Sequence, residues 1–341
     1  MAHLMVRFES AKGISWGRLQ GPAPASASDT VEVSPLDVNP ATTRELLGLS
    51  EKDLAFGSAI RLPATALLSP VTTDARLVCQ GLNYQEHAAE AQQATRRSNL
   101  IFAKASSALS APFGPIVRPA EVELLDYEVE IGLVLRAPLT QNAHVSKDNI
   151  GAYVAGAVLC NDVSARDTMF GASFLQWYHG KSYRTFCPAG PVFYWLAADE
   201  VASTLEGLSI KLTLNGDVRQ AASSSQLIYK PAETLTHLAT YLDLEAGDML
   251  LTGTPGGVTS PASPKLVEIL RTHLMADEPR RQALRAEMTK GRPFMRAGDV
   301  VRATLHDDSR GVFLGGQENT VIDAEAAPHA TTAARAGGAH E

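Results

Sequence analysis

The pattern of apolar and polar positions along this chain is dominated by short strand-like runs separated by Gly/Pro turns, with few stretches of helical period. Leu4 to Phe8 and Ile14 to Leu19, joined across Ala11-Lys12-Gly13, read as a β-hairpin. A loop follows at Gly21-Pro22-Ala23-Pro24, then a short helix-like segment from Ala41 to Leu49. Pro63 and Pro70 bracket a junction, and a main domain begins near Asp74. Its expected strands are Arg76 to Cys79, Glu128 to Leu135, Val154 to Leu159, Val192 to Trp195, Ser209 to Asn215, Met249 to Thr252, Val300 to Leu305 and Val312 to Gly315. Asn215-Gly216 signals a tight hairpin turn. Helices are expected over Asn83 to Arg97, Pro231 to Leu242, Pro264 to Met275 and Pro279 to Lys290; Leu266, Ile269, Leu270 and Leu274 share one face of the third. The fold class is therefore α+β, mainly β. The division is a small N-terminal domain over 1–73, a main domain over 74–322 with a helical insertion at 264–290, and a disordered Ala/Thr/Gly/His-rich tail over 323–341. The first of these is small for a unit that must be stable alone.

Composition narrows the class. Hydrophobic residues make up 45% and charged residues 20% of the 341, an ordinary globular balance. The net charge is 30 − 37 = −7 without a basic block, which argues against a general nucleic-acid binder. The longest apolar runs, such as Ile131 to Leu135, are far too short for a membrane span. The N-terminus lacks the zones of a signal peptide, and Cys79, Cys160 and Cys187 are too widely spaced for a disulfide framework or a zinc site. Buried free thiols in a reducing cytoplasm are the expectation.

The chemistry concentrates in a few segments. In Asp126-Tyr127-Glu128-Val129-Glu130 a strand places Glu128 and Glu130 on one side, with Tyr127, Val129 and Ile131 facing a core. Adjacent carboxylates repel unless a positive charge sits between them. Asp162, in Asn161-Asp162-Val163-Ser164-Ala165-Arg166-Asp167, would complete an oxygen-rich site for a hard divalent cation. The competing reading is a solvated polar strand face. His87 and Glu90, three apart, share a helix face, where the carboxylate can fix the imidazole tautomer and raise its basicity; an exposed His-Glu pair is the alternative. Lys181, flanked by small residues, could hold a developing oxyanion near a metal, or be an exposed lysine. Lys104 is unusual in following an apolar run and preceding small hydroxyls. Thr252-Gly253-Thr254-Pro255-Gly256-Gly257 could cradle an anion through backbone N–H groups or serve as a structural turn.

Six pieces occur in one order: Asn83-Tyr84-x-x-His87-x-x-Glu90, Ile101-Phe102-x-Lys104, Asp126-Tyr127-Glu128-x-Glu130, Asn161-Asp162-x-Ser164-Ala165-Arg166-Asp167, Gly180-Lys181-Ser182 and Thr252-Gly253-Thr254-Pro255-Gly256-Gly257. Over roughly residues 74 to 322 the chain thereby resembles the fumarylacetoacetate hydrolase family. The resemblance implies a mixed β-roll or sandwich, a homodimer, and Mg²⁺ or Mn²⁺ held by Glu128, Glu130 and Asp162. It further implies that His87 and Glu90 activate water on a mobile lid, that Lys181 joins them in catalysis, and that Arg166, Thr254 and Lys104 contact substrate. The implied activity is hydrolysis of a C–C bond in a 1,3-diketo acid such as an acylpyruvate. Decarboxylation of a β-keto acid such as oxaloacetate, tautomerisation of a hydroxymuconate and a silent small-acid binding protein are the alternatives. Two departures stand out. Thr168-Met169 occupy the place where the family commonly has a hydrophobic residue and then Gln, which removes a polar substrate contact. The insertion at 264–290 could pack on a dimer partner or narrow the pocket.

Overall fold

The computed structural model describes residues 2–85, 98–260 and 263–326. A long mixed sheet runs in the order Ile60–Pro63, Thr30–Pro35, Gly13–Gln20, His3–Ser10, Cys187–Trp195, Val154–Asn161, Val129–Leu135, Met249–Leu251, Leu77–Gly81, Leu100–Lys104. A second sheet runs Asp217–Ser223, Leu208–Leu214, Val300–Asp307, Val312–Asp323, Ile116–Arg118. Residues from both sheets, including Val129, Leu159, Ile210 and Leu305, form one apolar core. Gln317 ties the layers further, its side-chain amide donating to the carbonyls of Leu159, Pro188 and Gly190 at 2.9 to 3.1 Å.

Burial explains the two kinds of strand. Leu208–Leu214 (LSIKLTL) alternates buried and accessible positions, as expected for a strand with one solvated face. Val129–Leu135 (VEIGLVL) and Val154–Asn161 (VAGAVLCN) are buried at every position. They are adjacent central strands, and their near-continuous apolar sequence follows from being covered on both faces. An acidic residue in such a strand has no access to bulk water.

Most expected elements are found within a few residues of their predicted bounds. The N-terminal hairpin forms over His3–Ser10 and Gly13–Gln20. Its first strand pairs with Cys187–Trp195 in the register Met5↔Phe193, so the N-terminal strands extend the main sheet. The helix-like segment is Thr43–Leu47, capped by the Thr42 hydroxyl accepting from the Glu45 amide. Asn215 and Gly216 both have positive φ (53° and 91°), the requirement of a type I′ hairpin turn. The insertion forms two helices, Pro264–Thr272 and Asp277–Met288. Pro231–Leu238 ends sooner than its pattern predicts, and Val312–Asp323 extends well past Gly315. The expected helix from Asn83 to Arg97 falls mostly in 86–97, outside the described residues. The tail expected to be disordered over 323–341 starts later than that: Asp323 ends the strand Val312–Asp323 and pairs with Arg118, Ala324–Ala326 form a 3-10 turn, and 327–341 lie outside the described residues.

Candidate active site

The site lies where central strands of the main sheet end. Val129 pairs with Asn161, and the Asp162 amide donates to the Glu128 carbonyl at 2.7 Å, which brings the carboxylates of consecutive strands together. Oxygens of Glu128, Glu130 and Asp162 all lie within 4.8 Å of one another. Glu130 and Asp162 are fully buried, and Glu128 is 6% exposed. The solvated-face reading of the Glu-x-Glu pair is thus excluded, because both faces of the strand are covered.

Three buried cations meet these carboxylates. The Lys181 ammonium donates to Glu128 Oε2 (2.8 Å), Asp162 Oδ2 (2.5 Å) and Ser164 Oγ (2.9 Å). Lys104 Nζ donates to Asp162 Oδ1 and to the Val163 carbonyl. The Arg166 guanidinium forks between Asp126 Oδ2 (2.9 Å) and Glu128 Oε1 (2.6 Å). Burial alone would lower the Lys181 and Arg166 values. The adjacent carboxylates outweigh it, Asp162 and Glu128 for Lys181 and Glu128 and Asp126 for Arg166, so both are held above their usual ranges and stay charged. Asp126 is itself anchored by the amides of Thr259 and Ser260 at 3.0 and 3.1 Å.

Glu130 differs from its neighbours. Its Oε2 accepts the Gly253 amide at 2.8 Å, but Oε1 is buried with no hydrogen-bond partner among the described residues. Burial, then the charges of Asp162 and Glu128, push its carboxyl well above the usual carboxylate range. The buried Tyr84 hydroxyl also lacks a partner among the described residues, and it too is pushed up by burial and by Glu130. An unpartnered buried carboxylate oxygen beside two further carboxylates fits a hard divalent cation: three oxygen donors are in reach, and each carboxylate retains lone pairs beyond those its cations use.

A cavity of about 270 Å³ opens onto the cluster, lined there by Glu128, Arg166, Lys181, Thr254 and Ser260. Glu128, Lys181 and Arg166 therefore meet in one place with Glu130 and Asp162. Thr254 lines the cavity, yet its hydroxyl donates to the Val129 carbonyl (3.0 Å) and accepts from Gln220 (2.7 Å). Lys104 is not on the cavity wall; it lies buried against Asp162. The Gly-rich turn holds the protein's own Glu130 through the Gly253 amide. His87 and Glu90 lie outside the described residues.

Sequence reasoning missed several supports. Asp126 was legible only as part of a motif, yet it anchors Arg166. Gln220, whose amide bridges the Val129 amide, Thr254 and the Pro255 carbonyl, carries no sequence signal. Met169 is fully buried in an apolar cluster with Phe170, Leu266 and Leu284. The insertion lines the cavity through Leu266, Val267 and Leu270.

Comparison with known proteins agrees with this architecture. The oxaloacetate tautomerase FAHD2A of Bos taurus is 34% identical over 227 residues, covering 64% of this chain and 70% of that protein. The fumarylacetoacetate hydrolase from Exiguobacterium antarcticum superposes with a TM-score of 0.68 at 25% identity, over 94% of this chain and 99% of that one. A 2-hydroxyhepta-2,4-diene-1,7-dioate isomerase from Mycobacterium marinum shares the fold, with a TM-score of 0.64 at 23% identity, over 94% and 99% of the two chains. The family description "Fumarylacetoacetate (FAA) hydrolase C-terminal" matches residues 76–322, a span containing the whole carboxylate cluster. This chain belongs to the fumarylacetoacetate hydrolase family of enzymes.

Proposed function

We propose that the protein holds Mg²⁺ or Mn²⁺ at Glu128, Glu130 and Asp162 and catalyses keto–enol tautomerisation of a small 2-oxo acid bearing a second carbonyl on its β-carbon. The observation that carries this reading is the placement of a buried, permanently charged Lys181 between Glu128 and Asp162, on the cavity wall beside an unpartnered Glu130 oxygen. Similarity to proteins named oxaloacetate tautomerases supports it. When bound, the cation would polarise the oxo and carboxylate oxygens of the substrate as a Lewis acid. The three N–H donors of Lys181 are held by Glu128, Asp162 and Ser164, which fixes its positive charge beside the oxygen on which enolate charge develops. Arg166, on the cavity wall with it, holds Glu128 in position. On the His87-x-x-Glu90 spacing of the sequence alone, we assign to His87 the transfer of the proton at the carbon between the two carbonyls.

Hydrolysis of an acylpyruvate remains the second reading, favoured by the His87-x-x-Glu90 spacing, because the same base could deprotonate water. Both readings share the metal site and a homodimeric assembly. The test follows the enol absorbance of oxaloacetate, and separately pyruvate release from acetylpyruvate and oxaloacetate, with Mn²⁺ and with His87→Ala alongside. Accelerated enol–keto equilibration without pyruvate establishes the tautomerase. Pyruvate release from acetylpyruvate that is lost in His87→Ala establishes the hydrolase instead, and release from oxaloacetate a decarboxylase.

A further inference from the structure

The same cavity has a second character away from the carboxylates. The Lys181 ammonium lies 5.2 Å from the Phe102 ring centroid; Phe102 meets Trp177 edge-on at 5.1 Å, and Trp177 meets Phe170 at 6.2 Å. Phe170 and Leu266 belong to one apolar cluster, against which Trp177 and Leu270 pack. An unbroken apolar wall therefore leads from the reactive lysine to the inserted helix Pro264–Thr272.

That helix is fixed in place. Arg280, 1% exposed, donates to the carbonyls of His273 (2.9 Å) and Leu274 (2.6 Å) and to the carbonyl of Ala172, just beyond the Arg166–Gly171 helix. One buried guanidinium thus staples the insertion to the element that carries Arg166. The cations on the described cavity wall are Arg166 and Lys181, and both already face Glu128. An apolar substrate tail laid along the apolar wall would leave water for it, which favours binding.

We infer that the substrate carries an apolar tail beyond its 2-oxo acid head, and that the 264–290 insertion is the specificity element that receives the tail. This rests on the 2-oxo acid reading above and adds to it the chemistry of the distal end.

The test uses the full Mn²⁺-loaded chain and two probes with the same 2-oxo acid head, 2-oxooctanoate and 2-oxoglutarate. Binding is read from Trp177 emission, with Trp177→Phe locating the signal. Exchange of the protons at C3 with D₂O, read by NMR, reports enolisation. We expect 2-oxooctanoate to bind at least about tenfold tighter, since even a single methylene in an apolar pocket is worth that much. Val267 lines the cavity while 56% exposed, so Val267→Arg leaves the fold intact. It should collapse or reverse the preference without altering Mn²⁺ affinity, and Val267→Ser should move it the same way by less. Tighter binding of 2-oxoglutarate by the unaltered protein, or a preference indifferent to both substitutions, overturns the inference. Tail-dependent binding by a protein that fails to speed enol–keto equilibration of oxaloacetate leaves the inference standing and sinks the enolisation reading instead.

Discussion

Replacing Lys181 with Met removes a charge and three hydrogen bonds from a site 1% exposed while keeping most of the side-chain volume. Glu128 and Asp162 would then face each other with Arg166 and Lys104 as their remaining partners. Breaking a buried ion pair from one side costs about 3–5 kcal/mol, because the residual charge stays uncompensated. A divalent cation between the same carboxylates supplies two positive charges where one was lost. The deficit should therefore be about 3–5 kcal/mol by urea unfolding in EDTA and less than about 2 kcal/mol in saturating Mn²⁺. Turnover should fall about 10²–10³-fold even in Mn²⁺, the usual scale for losing one preorganised group that stabilises a developing oxyanion. Equal destabilisation with and without Mn²⁺ would show that the cation does not enter this cluster. Unchanged turnover would remove Lys181 from the chemistry.

Two further predictions concern Glu130. Gly253→Ala places a Cβ 2.8 Å from the Gln80 carbonyl oxygen and 2.9 Å from Asn83 Cβ, at a φ of 94°. It should cost about 1–3 kcal/mol and weaken Mn²⁺ binding by shifting the amide that holds Glu130, measured by calorimetric titration. Because the Glu130 carboxyl sits well above its unfolded value, the native metal-free protein binds a proton that the unfolded chain releases. That contribution to stability is fully present below the unfolded carboxylate range and is lost as pH rises through the raised native value. Metal-free protein should thus lose stability with rising pH across that window, while Mn²⁺ affinity rises and binding releases a proton, seen as buffer-dependent heats. A pH-independent Mn²⁺ affinity would contradict this.

The carboxylate cluster was legible because its parts are local: Glu128 immediately precedes the strand that carries Glu130, and Asp162 directly follows the neighbouring one. The residues that surround it come from far apart in the chain. Lys104 and Lys181 reach Asp162 across 58 and 19 positions, and only the packed sheet brings them there. Burial was the harder quantity. Glu-x-Glu reads equally as a solvated face, and only the packing over both faces of Val129–Leu135 decides otherwise. The insertion showed its helices through Leu266, Ile269 and Leu270. Where it docks depends on Arg280, whose carbonyl partners have no side-chain signature.

The most direct test of the account is enol–keto equilibration of oxaloacetate by the Mn²⁺-loaded protein against Glu130→Gln, with Mn²⁺ binding measured on both. Glu130→Gln keeps the shape of the side chain and removes the charge that a cation requires. The account predicts rapid equilibration by the unaltered protein, with metal affinity and rate lost together in the variant. Full activity in Glu130→Gln, or in the unaltered protein after exhaustive chelation, would contradict it.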